Sequence, residues 1–117
     1  NDNEQPVWDK DGALKRVKGK EDRLKMLLEM FNNDITPLLS ELHQAAEKGD
    51  SEQVRHFSHT IKGVAANLNG LAVQHLAAEL EQAAINNDVQ QWTRLMPELN
   101  TAFQQLQNAF NTYLCQD

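Results

Sequence analysis

In the run FSHTIKG, residues 57–63, His59 has an arginine four residues before it, Arg55, and a lysine three residues after it, Lys62. On a helix those spacings bring side chains together, so both cations would stand beside the imidazole. A neutral imidazole keeps one nitrogen lone pair free and is a nucleophile at cellular pH. Neighbouring cations suit an oxyanion held on or near the ring. An exposed charge pair contributes about 1 kcal/mol or less, so Arg55 and Lys62 would tune such a state rather than create it. Gly63 is the odd residue, because glycine in a helix interior costs about 1 kcal/mol relative to alanine. Beside a reactive histidine its missing side chain leaves room for another molecule to approach.

The element that must carry these residues is a helix from Ser51 to about Leu68. At about 100° per residue, Val54, Phe57, Ile61, Val64, Ala65 and Leu68 fall on one side and His59 falls opposite them. Asp50 followed by Gln53 has the form of a capping box at its start, and Asn69-Gly70 is a stop signal, since both residues tolerate the left-handed conformation. The blander reading of His59 is an ordinary surface histidine, and of Arg55 and Lys62 a solvated helix face; the placement argues for the sharper one.

Other candidates carry less. His56 and His59 are spaced i, i+3, but a structural zinc site wants about four ligands, and no acidic or cysteine ligand shares their face at a helpful spacing. His43 and His75 have no motif around them. Cys115 lacks a partner for nucleophilic work. Met26 and Met30 project away from the main apolar stripe of their helix, either as an adaptable partner patch or covered by Trp8, Leu14 and Val17 of the preceding segment. Cover by that segment is the expectation.

Around the histidine helix, the apolar period predicts three more long helices and a short one. Leu24, Leu27, Leu28, Phe31, Ile35, Leu38, Leu42 and Ala45 give one from Glu21 to Lys48, kinked near Asn33 by Pro37 and ended by Gly49. Val73, Leu76, Leu80 and Ala83 or Ala84 give another, ending at Asn86-Asn87. Asp88 with Gln91 caps the last, whose stripe is Trp92, Leu95, Leu99, Phe103, Leu106, Phe110 and Tyr113; Pro97 either bends it or marks a later start. A short helix from about Lys10 to Val17, capped by Asp9, precedes them. Short connections make neighbours antiparallel, so the expected fold is all-α, an up-down-up-down four-helix bundle with an extra N-terminal helix. Residues 1–8 read as a linker-like segment and 9–117 as one domain.

The chain has 117 residues and a net charge of −6, which argues against non-specific attraction to nucleic acid or anionic membrane. Any basic function must be local. One cysteine permits no internal disulfide and fits a reducing, cytoplasmic setting. No apolar run approaches the roughly 20 residues of a membrane span.

The run FSHTIKGVAANLNG resembles the signature of histidine phosphotransfer (HPt) domains, in which lysine and glycine follow a histidine by three and four residues. Trp8-Asp9, the LLEMF run at Leu27 to Phe31, and Leu80-Glu81 resemble the same family, so the likeness spans nearly the whole chain. It departs from the family in Ser58 for the usual alanine, Asn69 for a common glycine, Ala66 for a frequent glycine and Lys20 for an acidic cap. The resemblance implies that His59 is a phosphoacceptor assisted by Lys62, with Arg55, Gly63, Ala66 and Asn67 forming the phosphate- or partner-contacting surface. It implies a phosphocarrier rather than an enzyme. The partners would be response-regulator receiver domains, which supply Mg²⁺; the domain itself would bind no cofactor and be monomeric. The linker-like opening suggests the C-terminal domain of a hybrid sensor kinase anchored in a bacterial inner membrane, with a free-standing carrier as the runner-up. The competing reading is a helical interaction or dimerisation module without chemistry.

Overall fold

The computed structural model describes residues 6–115; residues 1–5 of the linker-like segment lie outside the described residues. Five helices follow one another: α1 (Lys10–Arg16), α2 (Glu21–Lys48), α3 (Ser51–Asn67), α4 (Leu71–Ile85) and α5 (Val89–Leu114), with no strand among the described residues.

The caps are local chemistry written in the sequence. Asp9, Asp50 and Asp88 each accept a hydrogen bond from a backbone amide three residues on, Gly12, Gln53 and Gln91 respectively. These bonds satisfy first-turn donors that the helix itself leaves unpaired. Gly49 closes α2 in the left-handed region at φ 70°, and Asn69 does the corresponding work between α3 and α4 at φ 58°. α2 runs unbroken through Pro37, and α5 through Pro97. Each proline removes one bond to the residue four before it. Asn33 and Pro37 are exposed, as are Thr93 and Pro97, so each missing bond falls on the solvent side of its helix.

α2 packs against α3 and α5, and α4 against the same two, which closes a four-helix ring; α1 lies on α2. This is the antiparallel bundle that the apolar period predicts. Leu24, Leu28, Ile35, Leu42, Val54, Ile61, Leu80, Leu99, Leu106 and Phe110 fill its centre. Leu38 is only half-buried, and Leu39 takes the core position instead. At the N-terminal side, the Trp8 indole donates to the Leu68 carbonyl at 2.8 Å and packs edge-on against Phe110 and Tyr113. The Asp9 amide bonds Asn69 O at 3.0 Å, and Ala72 N bonds Pro6 O at 3.0 Å, so residues 6–9 are tied to the α3–α4 turn.

Trp8, Leu14 and Val17 do not cover the two methionines of α2. Met26 is 56% exposed and Met30 51%. Ala13 and Val17 turn into the core, which leaves α1 no apolar face to lay over them.

Candidate functional site

α3 buries Val54, Ser58, Ile61 and Ala65, while Phe57 and Val64 are only half-buried. The buried stripe is therefore rotated from the expected one by about a third of a right angle, with Ser58 at its edge. A serine is tolerated there because its hydroxyl donates back to the Val54 carbonyl at 2.5 Å, so no polar atom is left unpaired. The rotation moves His59 from directly opposite the core toward α4.

That shift brings His59 to Glu81. His59 Nδ1 lies 2.9 Å from Glu81 Oε2, and Lys62 Nζ lies 2.6 Å from Glu81 Oε1, so one carboxylate holds both residues of the motif. The His59 side chain is 63% exposed, Lys62 32% and Glu81 16%. Burial pushes the Glu81 carboxyl up, but hydrogen bonds and charge from Lys62 and His59 outweigh it and hold the group below its ordinary value. Glu81 is thus ionised at neutral pH and only accepts. The proton of the neutral ring must then sit on Nδ1, and the lone pair on Nε2.

Gly63 lies on the exposed face, and a Cβ built there meets nothing within 4 Å. Internal packing gives no reason for the glycine. Arg55 is exposed one turn before His59, Ala66 is half-buried on the same side, and Asn67 is exposed about 80° further round the helix. The site so assembled groups His59, Lys62 and Gly63 with Arg55 and Ala66, and sets Asn67 off toward α2.

The sequence reading did not place Glu81 at the histidine. The electropositive surroundings expected of His59 are also reduced, because the Lys62 ammonium is engaged by Glu81. A signal existed: Lys62 lies too near the core edge to stay unpaired, and Glu81 is the acid beside the Leu80 stripe of the next helix. The other histidines have separate settings. His56 packs against Phe57, His43 Nε2 lies 2.8 Å from Asn100 Oδ1, and His75 Nε2 lies 2.9 Å from Glu79 Oε1. Among the described residues, no three potential metal ligands gather, and no helix is long and apolar enough to cross a membrane.

An exposed imidazole with Nε2 free, held at Nδ1 on the face of a rigid helical bundle, is the arrangement of a group-transfer domain rather than of a closed catalytic pocket. The chain belongs to the Hpt domain family, whose model matches residues 26–109 and so includes His59, Lys62, Gly63 and Glu81. The family works in histidine phosphotransfer within phosphorelays, where its members meet response-regulator receiver domains. A similar solved structure is the histidine-containing phosphotransfer protein B (HptB) from Pseudomonas aeruginosa PAO1, 26% identical, with a TM-score of 0.85. That match covers 92% of this chain and 93% of the other. No curated protein matches the chain.

Proposed function

We propose that His59 is the phosphoacceptor of a phosphorelay, taking a phosphoryl group from the aspartyl phosphate of one receiver domain and passing it to the aspartate of another. The observation that carries this reading is the Glu81 bridge, which leaves Nε2 as the nucleophilic nitrogen on the exposed side of α3. The Nε2 lone pair forms the bond to phosphorus as the bond from phosphorus to the aspartate oxygen breaks, and the carboxylate leaves. The ring becomes cationic with its proton on Nδ1, 2.9 Å from the Glu81 carboxylate, which favours the charge as it develops. Transfer to the second receiver runs the same step backwards. Lys62 neutralises the arriving phosphoryl oxygens in exchange for part of its bond to Glu81, and Arg55 adds charge from the preceding turn.

Positioning and charge neutralisation supply most of the catalysis in such a transfer. The receiver brings the aspartate and Mg²⁺; this domain contributes the nucleophile and the platform and binds no cofactor of its own. Gly63 provides the clearance at which the receiver seats, with Ala66 and Asn67 at its edge. The run after Gly63 resembles the hybrid-kinase style, so the setting we propose is the HPt domain of a cytoplasmic region belonging to a membrane-anchored hybrid sensor kinase, acting as a monomer.

The test is incubation with a phosphorylated receiver and Mg²⁺. The parent domain takes up an acid-labile, base-stable label, and His59→Gln does not. Equal labelling of the two would sink the carrier reading and leave a plain interaction module.

A further inference from the structure

The turn between α3 and α4 is fastened by residues that come before α1. The Trp8 indole donates to the Leu68 carbonyl at 2.8 Å and the Asp9 amide to the Asn69 carbonyl at 3.0 Å, so both serve acceptors that the end of α3 leaves open. Among the described residues no side chain makes a cap bond at α4, which starts after Gly70; its Ala72 amide donates instead to the Pro6 carbonyl at 3.0 Å. The Asn69 side-chain amide donates to Asp9 Oδ2 at 3.2 Å, while Asp9 Oδ1 caps α1. Gly12 lies against this pair, and a Cβ there would overlap both Asp9 Oδ2 and Asn69 Nδ2. Trp8 roots the strap in the core through its edge-on contact with Phe110, ring centroids 4.8 Å apart. Residues 6–12 all precede the stretch 26–109 that the family matches.

One clamp therefore holds two helices, α3 at its last turn and α4 at its first. His59 lies nine residues before Leu68 and Glu81 nine after Ala72, so each is about 14 Å from the clamp along its helix axis. His59 and Lys62 stand about 4.5 Å apart in height on α3. The two oxygens of one carboxylate reach both, at 2.9 and 2.6 Å, which requires Glu81 to stand between them. Packed helices slide past one another by about 1–2 Å in conformational shifts, and a rigid helix carries such a slip along its whole length. A slip of that size moves the carboxylate toward one partner and off the other.

We propose that Trp8, Asp9 and Asn69 are positioning residues for phosphotransfer: the strap they form sets the height of α4 against α3 and so keeps Glu81 on both His59 and Lys62. The inference rests on the carrier reading above. With the strap loosened, Nδ1 loses its acceptor part of the time, and Nε2 is then the free nitrogen in only a fraction of the molecules. No partner surface enters this account. The effect must therefore reach a small phosphoryl donor as fully as it reaches a receiver domain.

The experiment compares His59 labelling by a phosphorylated receiver with labelling by phosphoramidate, whose phosphoryl group passes to the ring nitrogen as ammonia leaves. In Asn69→Asp a carboxylate of the same shape faces Asp9, and aspartate tolerates the left-handed backbone at φ 58°. Gly12→Ala wedges the same pair apart. At a temperature where circular dichroism shows both variants folded, each should lose about three- to tenfold with either donor, the cost of one weakened hydrogen bond. Their ring ¹⁵N shifts should move from a protonated Nδ1 to a mixture. Trp8→Phe keeps the ring packing, drops the indole N–H and should show the same pattern. In Asp9→Asn/Asn69→Asp the amide and carboxylate change places and the α1 cap survives, so rates and ring shifts should return to the parent's. A loss that this exchange does not restore overturns the pairing. Parental rates and ring shifts in a folded but less stable Asn69→Asp make the strap a source of stability alone, and overturn the proposal while the carrier reading stands. Slower receiver transfer with parental phosphoramidate labelling assigns the strap to docking and overturns it too. Labelling that survives His59→Gln overturns both readings.

Discussion

Glu81 Oε2 stands 2.9 Å from His59 Nδ1 across the α3–α4 boundary, and this bond decides which ring nitrogen is free. The partner is an ionised carboxylate, which cannot donate, so it selects the tautomer with the proton on Nδ1. Replacing Glu81 with Gln leaves an amide that can either accept from or donate to Nδ1. The tautomer preference should weaken and the phosphotransfer rate should fall by about tenfold, the effect of losing about 1.4 kcal/mol of charge-assisted hydrogen bonding to the ring. Ring ¹⁵N shifts check this directly: the parent should show a protonated Nδ1, and Glu81→Gln a mixture. A rate loss with an unchanged tautomer signature would assign Glu81 to holding Lys62 alone.

The same carboxylate gives a pH dependence. Its folded-state pKa lies below the ordinary 4.5, so the stabilisation it confers is present above that value and is lost as pH falls through the lowered one. Its partners His59 and Lys62 are themselves solvent-accessible, so the contribution is under about 1 kcal/mol. Urea midpoints measured from neutral pH down to about 3 should fall more steeply in the parent than in Glu81→Gln. Tyr113 acts at the other extreme. Burial, then its bond to Glu21 and the charges of Glu21 and Asp22, raise its phenol above 10.0. Its contribution is complete below pH 10 and disappears as pH climbs toward the raised value, so Tyr113→Phe should flatten the alkaline limb.

Gly63 separates stability from transfer. Its φ is not in the left-handed region, and a Cβ there meets open space, so Gly63→Ala removes only the entropic cost of glycine in a helix. The variant should be more stable by about 0.5–1 kcal/mol, which thermal unfolding reads as a rise of a few degrees. Receiver-dependent transfer should nevertheless slow, and Gly63→Gln should slow it further while circular dichroism stays normal. Transfer at the parental rate in Gly63→Gln would end the steric account of this residue.

What the sequence disclosed and what it hid divide along the range of the interaction. The three aspartate caps, the Gly49 stop and the left-handed Asn69 each rest on contacts within a few residues, and all were legible. So was the helical period that makes the bundle. Ser58 was not, because a wheel sorts residues by polarity and cannot anticipate a hydroxyl satisfied by its own helix. Glu81 joins His59 from 22 residues away, through the packing of α4 on α3, which periodicity does not fix to the level of one contact. The exposure of Met26 and Met30 depends on where α1 lands, and its few apolar residues were needed inside.

Ser58 also tests whether the rotated stripe is a structural or a chemical feature. Its side chain is fully buried and bonds the Val54 carbonyl, an acceptor that the helix ladder already serves. Replacing it with alanine removes the hydroxyl without stranding a partner, so the cost should be within about 0.5 kcal/mol of zero, or the change slightly stabilising. Ser58→Val should behave differently, because a β-branched side chain forces extra volume between α3 and its neighbours at a cost of about 1–3 kcal/mol. If the packing at Ser58 sets how far His59 leans toward α4, Ser58→Ala should keep the His59–Glu81 bond and the parental transfer rate. Ser58→Val should disturb both, read from ring ¹⁵N shifts and labelling kinetics on the same samples. Equal behaviour of the two variants would mean that the position of His59 is set elsewhere, by the Lys62–Glu81 pair.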